Sequence, residues 1–198
     1  VRMHRRAPLN QAAAAFAACF AMWNLARMFG LDPRMPTDVA DVLVRVLGIG
    51  WVVFPCALIW LTYALATQRR STVSATIPVA VSLAAVALVI AQLFALFYSP
   101  GTTLAERVSV PWNGSPWTSV YFAYLLIAAL GALVSLYRTA QWSPSESARG
   151  TARILLVTTV VWLLPGLALE IGAPLAGWAH LPSLGHLSGL LWLLALWI

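Results

Sequence analysis

The feature that most restricts this chain is a run of six long apolar stretches, joined by short segments that hold nearly all of its charge. The hydrocarbon core of a bilayer, about 30 Å thick, takes roughly 20 apolar residues per helix. Stretches at about 9–29, 38–67, 73–98, 117–137, 152–171 and 184–198 reach or approach that length. Inside lipid the backbone must satisfy its own hydrogen bonds, which makes each stretch a helix. The expected fold is therefore all-α, a polytopic transmembrane helix bundle of about six spans forming one membrane domain over residues 1–198. Composition agrees: 61% of residues are apolar and 9% charged, against about 25% charged in a soluble domain. The longest polar connection, about 99–116, is too short to fold by itself.

Charge placement gives direction. All 12 basic residues are arginine, against six acids, for a net charge of +6. With the N-terminal segment in the cytoplasm, Arg2, Arg5, Arg6, Arg69, Arg70, Arg138, Arg149 and Arg153 face inward. Arg27, Arg34, Arg45 and Arg107 then face outward, and the excess of inner arginines favours this orientation. In such a chain arginines flanking apolar spans meet anionic lipid headgroups, so nucleic acid is not an expected partner. Trp23, Trp51, Trp60, Trp117, Trp142, Trp162, Trp178 and Trp197 include several near span ends, as expected of interfacial anchors, while some, such as Trp162, lie deeper. Cys19 and Cys56 lie within apolar runs and read as small packing residues.

Local signals refine the boundaries. Asp38 and Asp41 open the second helix, where negative charge suits the helix dipole. Ser143-Pro144-Ser145-Glu146 reads as a capping box with proline at the first helical position, starting the fifth helix ahead of its membrane span. Pro55 and Pro165-Gly166 interrupt two spans and predict kinks. Gly185 to Gly189 forms a GxxxG pattern, a hint of close helix packing or a dimer face.

The polar residues within or beside the spans are the candidates for function, because intramembrane polar groups must face protein or a ligand. Asn24 and Gln92 are expected to face the bundle, each hydrogen-bonding another helix. Asp41 and Arg45, four apart, predict an ion pair on one helical face, self-contained or open to a ligand. Glu170, His180 and His186 lie at the outer ends of the last two spans, where they could approach one another; a Glu with two His is a possible metal-ligand set, but their spacing matches no metal motif. They read as an interfacial carboxylate and polar helix-end histidines, so neither a metal nor a cofactor is assigned. Phosphate loops, zinc motifs and nucleophile elbows are absent from the sequence, leaving no catalytic residue.

The order of features carries a resemblance. An arginine-rich start precedes Ala21-Met22-Trp23-Asn24-Leu25, and Phe54-Pro55-Cys56-Ala57-Leu58 leads to Tyr63. The helix from Tyr121 to Tyr137 runs into Arg138-Thr139-Ala140, and Ser147 to Arg153 opens the next span. Leu181-Pro182-Ser183-Leu184-Gly185-His186-Leu187 enters the last. This layout resembles the seven-helix N-terminal membrane sensor region of bacterial histidine kinases and diguanylate cyclases. The resemblance implies a truncated seven-helix bundle in the bacterial inner membrane. Val1 is not an initiator methionine and an apolar run is still in progress at Ile198, as expected of a fragment. The implied function is sensory input, passed to a cytoplasmic kinase or cyclase domain outside this chain. Asn24, Asp41, Arg45, Gln92, Glu170 and His186 are the ligand- or signal-sensing candidates. The implied partners are membrane lipids, a small ligand and a second copy of the chain. The alternative is a small multi-pass transporter or channel domain, for which Asn24, Gln92, Thr158 and Thr159 are too scattered to define a path.

Overall fold

A computed structural model describes residues 7–32, 34–67, 75–96 and 115–163. They are helical, with no strand among them. Helix α1 is Ala7–Leu31, α2 Thr37–Leu47, α3 Ile49–Ala66, α4 Thr76–Leu93, α5 Pro116–Trp142 and α6 Glu146–Thr158, the last continuing as a π-helical turn over Thr159–Leu163.

Helix α3 is apolar all round and is the hub of the bundle. It packs against α1, α4 and α5, while α6 lies against α5. Against α1 the contact is an aromatic knot. Phe16, Phe20 and Trp23 share one face of α1, and all three meet Phe54, with ring centroids 4.8–6.0 Å apart. Gly50 lets the two backbones approach at this crossing: a Cβ there would lie 2.5 Å from Cys19 O and 2.9 Å from Trp23 N. Small residues serve this purpose where apolar helices pack within lipid.

The outer surface is also apolar. Leu83, Val86 and Ile90 form an exposed stripe on α4, as Ile127, Leu130 and Val134 do on α5. A water-facing helix would place charges there. Three helical segments among the described residues are long and apolar enough to cross a membrane: Thr37–Ala66, Thr76–Leu93 and Pro116–Trp142. A helical bundle consistent with a membrane location is thus present, and the described residues hold three such spans where six are expected of the chain. The first expected span, 9–29, forms α1, a 25-residue helix that is not one of the three found among the described residues. The fifth is described only to Leu163, and 184–198 lies outside the described residues.

Other boundaries move for local reasons. The expected second span divides at Gly48, which keeps right-handed helical angles (φ −62°, ψ −14°), so α2 and α3 remain nearly one helix. The cap of α6 is Ser145 rather than Ser143: its hydroxyl accepts from Ala148 N at 3.4 Å. Pro144 therefore precedes the helix. Ser143 instead closes α5, and its carbonyl accepts from Arg149 Nη1 at 2.7 Å. Trp23 and Trp51 are buried in the core and do not act as interfacial anchors.

Candidate functional site

Asp41 and Arg45 form the ion pair that their spacing predicts, with Arg45 Nη2 2.7 Å from Asp41 Oδ2. The pair is not closed on itself. Asp41 Oδ1 and Arg45 Nε are both shielded from solvent, and neither has a hydrogen-bond partner among the described residues. One acceptor and one donor are therefore left unused beside a formed ion pair.

Gly48 continues the same stripe of α2, at i, i+4 and i+7 from Asp41. Its missing side chain leaves a notch that Gln92 of α4 fills. A Cβ at Gly48 would sit 2.6 Å from Gln92 Nε2 and closer still to the Val44 carbonyl. Gln92 is fully buried, and among the described residues neither its Oε1 nor its Nε2 has a hydrogen-bond partner. The expectation that it faces the bundle holds; the expectation that it bonds another helix does not. Nearby Val44 O already accepts from Gly48 N at 2.8 Å.

Asn24 also departs from expectation. Its Nδ2 donates to Phe20 O of its own helix at 2.8 Å. An intrahelical carbonyl four residues back is always within reach of a short amide, whereas the longer Gln92 side chain is held in the Gly48 notch. Glu170, His180 and His186 lie outside the described residues. Among the described residues no group of three His, Cys, Asp or Glu is placed to hold a metal.

The sequence reading missed a second polar node. Ser82 of α4 accepts from Trp60 Nε1 at 2.9 Å and lies 3.4 Å from Cys56 Sγ, while its hydroxyl donates to Pro78 O. This node joins α3 to α4 with its groups paired, so it holds structure in place. The signal that could have found it is a serine within the apolar run of α4.

No protein-family model, curated protein or solved structure matches the chain. The site is therefore read from its chemistry. Arg45 Nε and Gln92 Nε2 are donors, Asp41 Oδ1 and Gln92 Oε1 are acceptors, and all lie on or against one face of α2. Such a set suits a small polar ligand that both donates and accepts hydrogen bonds.

Proposed function

We propose that this chain is the membrane-embedded sensory input module of a bacterial signalling protein. In this reading it lies in the inner membrane, with the six apolar stretches as spans and the N-terminal segment cytoplasmic. It passes a ligand or membrane signal to a cytoplasmic kinase or cyclase domain.

The observation that carries the reading is the fully buried, unpartnered amide of Gln92, set against Gly48 on the stripe that holds the Asp41–Arg45 pair. Burying an amide without a hydrogen bond costs roughly 2–7 kcal/mol, depending on the reference state. A packing residue would not retain that cost, whereas a binding residue recovers it when a ligand arrives. A ligand bound there favours the packing of α2 against α4 that it fits best, and differential affinity of this kind is what shifts a conformational equilibrium. The transporter alternative gains less support. Thr62, Thr139 and Thr159 are buried, but each donates its hydroxyl to a carbonyl of its own helix.

The test is signalling by the full-length protein. Gln92→Leu is expected to lock the output in one state while the protein still inserts and folds, and an unaltered response overturns the reading. The encoded frame is also expected to continue past Ile198 into a kinase or cyclase domain. A stop codon directly after Ile198 overturns the reading as well.

A further inference from the structure

The turn between α5 and α6 carries a second surface, separate from the sensory stripe. Along α5 the exposed face runs from Ile127, Leu130 and Val134 to Tyr137 and Arg138, and ends at Trp142. Along α6 the order reverses: Arg149 and Arg153 come first, then Val157 and Val161. Both helices thus change from hydrocarbon-compatible to polar at the same end. Tyr137 and Trp142 are 51% and 70% exposed and meet edge to face at 6.2 Å, an amphipathic pair suited to headgroup depth.

Length places the turn at that depth. The 27 residues of α5 extend about 40 Å, more than the roughly 30 Å of hydrocarbon. Its ends must therefore enter the headgroup layers, and Trp117 and Trp142 mark those ends. Arg149 and Arg153 are four apart and share a face of α6, the helix that packs on α5, where Arg138 is exposed near the same turn. Glu146 is the one acid of the turn, and among the described residues it forms no ion pair with these arginines.

We infer that the α5–α6 turn is a docking surface for the phosphodiester headgroup of an anionic lipid, with Arg138 and Arg153 as its charged contacts and Tyr137 and Trp142 bordering them. A guanidinium donates two parallel hydrogen bonds to a phosphate, which a compact ammonium does not. Arg149 instead donates to Ser143 O and so ties the start of α6 to the end of α5.

The experiment is native mass spectrometry of the full chain in a neutral detergent, with added phosphatidylglycerol, phosphatidylcholine or inorganic phosphate. The wild-type chain is expected to retain phosphatidylglycerol in preference to phosphatidylcholine. Each basic group near an anionic surface contributes roughly fivefold in affinity, so R138Q/R153Q should lower retention by more than about tenfold. Both arginines are exposed, so the variant folds; R34Q, at another exposed arginine, serves as the charge control. Equal retention of the two lipids, undiminished retention by R138Q/R153Q, or an equal loss in R34Q overturns the proposal. Displacement of the lipid by millimolar inorganic phosphate also overturns it, since the site would then recognise a free anion. None of these outcomes depends on signalling, so this inference and the sensory reading fail separately.

Discussion

The Tyr124 hydroxyl on α5 donates to the Val52 carbonyl on α3 at 3.0 Å, across 72 residues of sequence. Val52 lies three residues before Pro55, next to Trp51, whose carbonyl is the one the proline ring crowds and, lacking an N–H, cannot donate to. The tyrosine thus braces the turn beside the carbonyl to which the proline cannot donate. Interhelical bonds in membrane bundles contribute about 0.6 kcal/mol on average and at most about 1.7. Tyr124→Phe is expected to lower stability within that range. Pro55→Ala returns the helical donor to the Trp51 carbonyl and tightens the turn that Tyr124 braces, so the loss from Tyr124→Phe should shrink in a Pro55→Ala background. A double-mutant cycle by reversible unfolding in mixed micelles checks this, and strict additivity would refute the coupling.

The glycines sort by what a methyl group would meet. Gly50→Ala forces a Cβ against Cys19 O, Met22 Cβ and Trp23 N, two of them backbone atoms that cannot move aside without shifting α1. A loss of about 1–3 kcal/mol is expected, as for other overpacked sites. Gly131→Ala meets only the end of the Ile59 side chain at 3.1 Å and should be mild. Gly150→Ala meets nothing within 4 Å and should add roughly 0.5–1 kcal/mol through reduced chain entropy in α6. Thermal unfolding of the three variants should give this rank order.

Helix α4 ends with a non-glycine residue in the left-handed region: Ala95 has φ 53°. Leu96 N donates to Ala91 O at 2.9 Å and Ala95 N to Gln92 O at 3.0 Å, the paired bonds of a Schellman cap. Alanine there costs about 1 kcal/mol that glycine does not. Ala95→Gly is expected to raise the unfolding midpoint, and no change or a fall would show that the cap geometry is wrong.

The polar stripe predicts opposite signs for stability and function. Gln92→Leu removes two orphaned polar atoms from the core, so the fold should gain roughly 1–3 kcal/mol while the response disappears. For the ion pair, Asp41→Asn or Arg45→Gln alone leaves a partly buried charge without its partner. The double variant should therefore be more stable than either single one in a double-mutant cycle by chemical unfolding.

Much of this protein follows from relationships that act over three or four residues, and those the sequence determined alone. Continuous apolar runs make helices, four-residue spacing makes the Asp41–Arg45 pair, and the polar turn after Trp142 starts α6 within a few residues of the expected place. The glutamine in the third stretch could be singled out as a residue that must face protein, but not as one without a partner. Only the tertiary structure decided that Gln92 fills the Gly48 notch, that Asn24 turns back on Phe20, and that Tyr124 reaches Val52. The physical reason is that lipid tails are as apolar as a packed leucine. The face of a helix that meets the bundle and the face that meets lipid therefore carry the same kinds of residue. Periodicity cannot fix how such a helix is rotated about its axis, and that rotation selects the partner of every polar group it carries.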